Sequence, residues 1–171
     1  TALDACEGDL TANIVVGGDT VNTDVLGDYT IIYNVSDSSA NAAAEIMRTV
    51  TVADATPPLI GILGGTVVTV ECNDLYEDAG AISTDECDGV LTGNIIVVGD
   101  VIDTSVLGMY MVTYNVSDSS ANAAVEVMRT VEVVDTVSPM IALLGDAAVT
   151  VMCGDTYTDE GAAATDACEG D

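Results

Sequence analysis

Residues 110–124 read YMVTYNVSDSSANAA, and the last eleven of these letters occur a second time at residues 33–43. In the first half, apolar and polar residues alternate with the period of two that is typical of a strand with one buried face. The residues that share the inward face are Tyr110, Val112, Tyr114 and Val116. The polar run that follows, 117–122, predicts a hairpin turn to the next strand.

An 81-residue repeat organises the whole chain. Residues 1–90 align with residues 82–171 without a gap and with 50 identities. The cysteines follow the repeat, with Cys6, Cys87 and Cys168 at one repeat position and Cys72 and Cys153 at another. Self-similarity of this kind is typical of tandem modules that contact mainly their neighbours.

Prolines mark the predicted joints between modules. Pro57, Pro58 and Pro139 lie between predicted strands, where proline stiffens an extended connection. We therefore expect a complete module at 56–135, the C-terminal part of a preceding module at 1–55 and the N-terminal part of a following one at 136–171. The chain is then expected to be a segment of a longer array.

Each module is predicted to be all-β. The strands expected in the middle module are 59–63, 67–71, 94–98, 110–117 and 124–134. Many short strands separated by turn residues indicate an antiparallel β-sandwich of about 81 residues per module.

Two long stretches carry a family resemblance. Residues 66–95, TVVTVECNDLYEDAGAISTDECDGVLTGNI, and 105–135, SVLGMYMVTYNVSDSSANAAVEVMRTVEVVD, resemble the bacterial immunoglobulin-like repeats of secreted and cell-surface proteins, a group related to hyalin repeats. The resemblance implies an immunoglobulin-like sandwich used in tandem as a stalk, spacer or adhesive fibre. It also makes the Gly-x-Tyr at Tyr29 and Tyr110 similar to a tyrosine corner. Family members usually end the hairpin turn with Gly-Asn, whereas this chain has Ala121-Asn122.

The charge balance narrows the possible partners. The chain has 29 acidic residues against 2 basic ones, a net charge of −27, yet 49% of its residues are hydrophobic. That hydrophobic content separates it from disordered acidic tails. Nucleic acids and anionic membranes are disfavoured as partners because both are bound through Lys and Arg. No apolar run approaches about 18 residues, and we expect neither a membrane span nor a signal peptide within residues 1–171.

The cysteine spacing predicts one disulfide in each module. Cys72 and Cys87 enclose residues 73–86, and Cys153 and Cys168 copy that spacing by enclosing residues 154–167. A loop of this size would stabilise a module by about 3 kcal/mol in the chain-entropy model. Cys6 is then expected to pair with a residue that precedes Thr1. Disulfides in every module indicate an extracellular or cell-surface location.

The acidic residues suggest calcium, because aspartate is a common calcium ligand in loops and joints. The candidate ligands are Asp54, Asp78, Asp85, Asp88, Asp135, Asp159 and Asp166. The alternative is that these residues form turns on a solvated surface.

Three other residue classes have predicted roles. Asn34 and Asn115 each open an Asn-Val-Ser triplet and are candidate glycosylation sites. Arg48 and Arg129 share parity with inward-facing valines, so each is expected to neutralise a carboxylate at the sandwich margin, or else to anchor a partner's acidic group. The tyrosines are expected in the core rather than on a sugar-stacking surface.

The composition argues against catalysis. With no His and no Lys, the usual activators of nucleophiles are missing. We therefore expect a structural repeat segment of an extracellular fibre, filament or adhesin stalk, whose partners are neighbouring copies of the same module or chain. The alternatives are a calcium-dependent module that binds a glycan or protein, and a passive spacer of a larger secreted enzyme.

Overall fold

A computed structural model describes residues 1–168, which form two compact units, Thr1–Thr56 and the part of the chain from Pro57 onward. The strands of the first unit are β1 (Leu3–Asp4), β2 (Gly8–Asp9), β3 (Val15–Gly18), β4 (Gly27–Asn34) and β5 (Ile46–Val52). β1 and β2 form a short hairpin, and β3, β4 and β5 form an antiparallel sheet. A 3-10 turn at Thr11–Asn13 connects the two.

The second unit continues the strand series. Its described strands are β6 (Leu59–Ile62), β7 (Val67–Glu71), β8 (Ala81–Asp85), β9 (Gly89–Val90), β10 (Ile96–Gly99), β11 (Gly108–Asn115), β12 (Val127–Val134), β13 (Met140–Leu143) and β14 (Ala162–Thr165). One sheet has the order β10-β11-β12-β7, another has the order β6-β8-β9, and β13 pairs with β14. A 3-10 turn at Thr92–Asn94 precedes β10.

Most strands recur one repeat later, although residues 148–152, the equivalent of β7, are not a strand. β3 and β4 pair with Val15 opposite Asn34, and β10 and β11 pair with Ile96 opposite Asn115, which are the same two positions one repeat later. β13 repeats β6 in the same way. Sequence identity between modules therefore extends to strand register.

The core of the middle module contains the residues that the alternation predicts. Tyr114 is fully buried, Val112 and Val116 are 5% and 4% exposed, and Val131 of the neighbouring strand β12 is also fully buried. Ser83 of β8 is buried as well, so the three-stranded sheet closes the other side of this core. The predicted all-β sandwich is confirmed.

One strand pairing departs from the antiparallel expectation. β7 runs parallel to β12, with Val67 opposite Thr130 and Glu71 opposite Val134. The reason is that the chain changes sheets between β6 and β7, at Gly64-Gly65. Gly64 has a φ of +77°, and a Cβ on Gly65 would lie 2.8 Å from the carbonyl oxygen of Val67. A side chain would strain the backbone at Gly64, and at Gly65 it would need the neighbouring chain to shift.

The strand predictions were incomplete around Cys87. The strand at 67–71 was correct, and the other four overlap the observed strands with shifted ends. The strands β8 and β9 were missed, because Ala-Ile-Ser-Thr-Asp alternates weakly and the stretch was interpreted as a loop. This omission affects the cysteine pairing described below.

The hairpin between β11 and β12 is held by Asp118, which is 8% exposed. Its carboxylate accepts hydrogen bonds from the backbone N–H of Asn122 at 2.7 Å and from the Asn122 side-chain amide at 2.8 Å. Ala121, inside this turn, adopts a φ of 67°, as Ala40 does in the first unit at 66°. A left-handed backbone strains any residue that has a Cβ.

Replacing Ala121 with Gly should therefore stabilise the second unit. We expect the free energy of unfolding, measured by urea denaturation, to rise by about 0.5–1 kcal/mol in Ala121→Gly. Ala123, two positions on, has no left-handed φ. As a matched control, Ala123→Gly should lower the same free energy by a similar amount. A loss of stability in Ala121→Gly would contradict the proposed strain.

Candidate functional site

The middle module contains a buried arginine. Arg129 projects from β12 and its side chain is 1% exposed. It forms an ion pair with Asp78, and its Nε donates to the carbonyl of Gly65 at 3.0 Å. Its Nη2 donates to the carbonyls of Leu63 and, at 3.3 Å, Gly80. One guanidinium therefore joins β12 to both connections that flank β7.

Tyr114 completes this network. Its hydroxyl donates to the Asp78 carboxylate at 2.7 Å, and the guanidinium carbon of Arg129 lies 5.7 Å from the centre of its ring. Burial, together with a smaller effect of Tyr76, raises the pKa of Tyr114, so the hydroxyl keeps its proton and remains a donor. The Asp78 carboxylate thus contacts Arg129 and accepts hydrogen bonds from the hydroxyls of Tyr114 and, at 3.1 Å, Tyr76. Asp78 therefore has a structural role in this network, and its predicted role as a calcium ligand stays a prediction.

The two arginines occupy the same repeat position, but the equivalent of Asp78 in the module of Arg48 would precede Thr1. The predicted partnership of Arg129 with a carboxylate is confirmed. Arg48 is exposed, and its guanidinium lies 5.8 Å from the ring centre of Tyr33. Within residues 1–168 the structure shows no ion pair for Arg48.

Both modules contain a tyrosine corner. The Tyr110 hydroxyl donates to the carbonyl oxygens of Asp103 and Val106, each at 2.9 Å. Tyr29 makes the same two contacts, with Asn22 and Val25, also at 2.9 Å. The hydroxyl ties the start of a long strand to the loop that precedes it, which is the arrangement implied by the resemblance.

The disulfide in the second unit joins Cys72 to Cys168, with 5.8 Å between their Cα atoms. Cys6 and Cys153 are exposed thiols. The predicted disulfides Cys72–Cys87 and Cys153–Cys168 are therefore wrong. The partners belong to different copies of the repeat, since Cys168 lies beyond the linker that follows β12.

The strand directions explain why Cys72 does not pair within its module. Cys72 follows β7, and the parallel pairing of Glu71 with Val134 places it at the end from which the chain leaves the module. Cys87 follows β8, and the pairing of Thr84 with Leu59 places it at the end where the module begins. A disulfide needs Cα atoms closer than about 7 Å. Residues at opposite ends of a sandwich do not meet this requirement.

Cys168 meets the requirement because it begins the following module. Thr165 of β14 pairs with Met140 of β13, the first strand after the linker, so Cys168 lies at the entry end of that strand pair. The exit end of one module and the entry end of the next are adjacent along the linker. We call this region the joint and define it as residues 71–73, 134–137 and 166–168.

Polar contacts surround the disulfide at the joint. The Asn73 amide donates to the carbonyl of Ala167 at 2.6 Å. The Glu71 carboxylate accepts from the backbone N–H of Thr136 at 2.7 Å and from its hydroxyl at 2.8 Å. These two hydrogen bonds hold the pKa of Glu71 below its usual value, and the bond from the backbone N–H has the larger effect. Cys72 itself is only 5% exposed.

Comparison with known proteins identifies the family of the chain. A family model described as "Bacterial surface protein, Ig-like domain" matches residues 1–52 and 60–133. The chain belongs to this family. Its two matched stretches lie one in each compact unit, so the immunoglobulin-like fold and the bacterial surface origin predicted from the sequence are confirmed.

The other comparisons are weaker. A lipoprotein from Bacteroides thetaiotaomicron is similar in structure over 47% of this chain and 39% of its own length, with 18% sequence identity and a TM-score of 0.42. This immunoglobulin-like chain thus spans well under half of that protein. No curated protein matches the chain. In residues 1–168 no helix is long and apolar enough to cross a membrane.

Most of the predicted calcium ligands build turns in the immunoglobulin-like modules. The side-chain oxygens accept hydrogen bonds as follows: Asp54 from Thr56, Asp85 from the N–H groups of Cys87 and Asp88, Asp88 from Ser119, Asp135 from Val137, Asp159 from Tyr157, and Asp166 from Cys168. These contacts match the alternative that the aspartates are turn residues. Calcium binding stays a prediction.

Three possible ligand atoms at the joint lie close enough together to hold a metal ion. Oxygens of Glu71 and Asp135 and the sulfur of Cys168 lie within 4.8 Å of one another. Glu71 was not predicted from the sequence, because the repeat has Met152 at the equivalent position. The Cys168 sulfur is bonded to Cys72, and both Glu71 oxygens accept from Thr136. The group is therefore already engaged in joining the modules.

The glycosylation candidates lie at strand ends. Asn34 ends β4 and is exposed, with its amide 3.4 Å from a carboxylate oxygen of Glu45. Asn115 ends β11 and is half-buried. Modification of either residue stays a prediction.

The buried ion pair gives a sharp test of the core. Asp78→Asn removes the counter-ion of a guanidinium that is 1% exposed. We expect the free energy of unfolding to fall by about 3–5 kcal/mol, because the remaining charge is buried and uncompensated. Asp159 is the repeat equivalent of Asp78 but is exposed and accepts a hydrogen bond from Tyr157. The control Asp159→Asn should therefore change stability by less than about 0.5 kcal/mol. Equal effects of the two substitutions would show that the Arg129 network contributes nothing.

Proposed function

We propose that this chain is a load-bearing, non-catalytic segment of an extracellular bacterial surface stalk or fibre. The observation that carries the proposal is the Cys72–Cys168 disulfide, which bonds one immunoglobulin-like module to the start of the next. A module whose task is to bind a ligand by itself needs no such bond. A module that transmits force to its neighbour benefits from it directly.

The internal structure of the modules supports the same role. The only basic side chain of residues 56–135 is used in the core, where it joins three carbonyl groups and a carboxylate. The hairpin 114–124 has the same sequence as 33–43. A binding surface that recognises a specific partner would be expected to vary between copies, whereas a scaffold repeats. These features favour a spacer over an adhesive module or an enzyme.

Immunogold electron microscopy tests this function. Antibodies raised against the 171-residue chain, applied to whole cells of the bacterium that makes it, should label thin extracellular structures that carry many epitopes in line. Antibody absorbed beforehand with the purified chain is the control and should remove the label. Label confined to the cytoplasm, or to isolated compact particles, would contradict the proposal.

Calcium-dependent stiffening is a separate part of this proposal. Its support is the recurrence of aspartates in turns and linkers and the net charge of −27, which calcium would partly neutralise. Isothermal titration calorimetry with calcium chloride should then show binding heat, and the melting temperature should rise. Magnesium chloride at equal ionic strength is the control, because it screens charge but is less suited to loop sites of this kind. Equal melting shifts with both salts, without binding heat, would rule out a calcium site.

A further inference from the structure

We propose that every joint of this repeat is closed by a disulfide of the Cys72–Cys168 type, and that consecutive disulfides overlap to form a covalent strap along the array. The inference deepens the load-bearing function proposed above and rests on it. Three observations support it: the strand directions that place the cysteines, the contacts around the disulfide, and the order of the cysteines along the chain.

The first observation is that the pairing follows from features that each module carries. Cys72 lies where β7 and β12 end together, and Cys168 lies where β14 returns to the entry strand β13. Cys153 has the repeat position of Cys72, and Cys6 and Cys87 have that of Cys168. These strand directions bring the exit cysteine Cys72 and the entry cysteine Cys168 together, and the repeat extends the same pairing to the equivalent cysteines of other modules.

The second observation is that the joint is built around this bond. Cys72 is 5% exposed. Asn73 and Glu71, on either side of Cys72, hydrogen-bond to Ala167 and Thr136 across the joint. Cys72 is therefore buried at the joint, with hydrogen bonds to the next module on both sides of it.

The third observation concerns the order of the cysteines along the chain. The disulfide closes a loop with a sequence separation of 96, which is longer than the 81-residue repeat. Cys153, the exit cysteine for the next joint, consequently precedes Cys168 in the chain and lies inside this loop. Successive loops overlap, and no part of the array lies outside them.

Overlap changes how tension passes through the array. Force that arrives at Cys72 crosses the disulfide to Cys168, runs back along residues 154–167 to Cys153 and leaves through the next disulfide. Fully stretched, that segment spans about 50 Å, whereas an unfolded 81-residue module without the bond would span about 280 Å. The strap thus limits extension even when a module unfolds.

Closing each joint is a two-electron oxidation. The two thiols lose two protons and two electrons and form one S–S bond, and the disulfide of a thiol–disulfide oxidoreductase of the cell envelope takes up the electrons and protons to become two thiols. This chemistry agrees with the surface location of the family.

Single-molecule stretching of the chain from its two termini tests the pairing. In the oxidised chain the residues between Cys72 and Cys168 cannot be extended, so reduction with a phosphine should lengthen the unfolded chain by roughly 330 Å for the separation of 96. In-module disulfides would hide only the short stretches 73–86 and 154–167, and reduction would then add only about 100 Å. An increase of that smaller size, or none, would overturn the proposal.

Two variants make the measurement specific. Cys72→Ser should abolish the increase on reduction, while Cys6→Ser should leave it unchanged. Peptide mapping of the oxidised wild-type chain without reduction provides a second readout that does not depend on how a variant folds, and it should recover a peptide with Cys72 bonded to Cys168. A peptide that contains Cys72 bonded to Cys87 would also overturn the proposal. Failure of these tests would remove the covalent link that supports the load-bearing role, but it would not affect the surface location, which immunogold labelling tests separately.

Discussion

The ion pair between Arg129 and Asp78 is the interaction on which the module depends. A repeat with 13 acidic residues and a single arginine places its one basic side chain in the core instead of on its surface. There the guanidinium bonds to carbonyls at the crossing between sheets, where regular strand pairing is interrupted. The arginine therefore holds β7 against β12, and through β7 it determines where Cys72 lies.

The direction of β7 links the core to the joint. Because β7 runs parallel to β12, both strands end on the side from which the linker leaves. Cys72 is then carried to the exit end, while the antiparallel pairing of β8 with β6 carries Cys87 to the entry end. Because the chain changes sheets at Gly64-Gly65, the two cysteines of one module lie at opposite ends and belong to two different joints.

The sequence was sufficient for the features that depend on local pattern. Alternation along 110–116 predicted the buried face of β11, and Gly-x-Tyr predicted the tyrosine corner at Tyr110. The disulfides were mispredicted because spacing along the chain measures loop length and says nothing about which end of a sandwich a residue occupies. The ion-pair role of Asp78 was missed for a related reason, since its partner Arg129 is far away in the sequence, at a separation of 51. Features that depend on strand direction or on long-range contacts could not be predicted from the local sequence pattern.

The acidity of the repeat explains why a covalent bond at the joint is useful. Each 81-residue repeat carries a net charge of −12, so neighbouring modules repel each other, and the repulsion grows as salt is diluted. Hydrogen bonds such as those of Glu71 with Thr136 are exposed and oppose this repulsion only weakly. A covalent bond is independent of ionic strength. A disulfide at the joint therefore lets the modules keep a high surface charge, which keeps neighbouring chains apart, without letting that charge pull the modules of one chain apart.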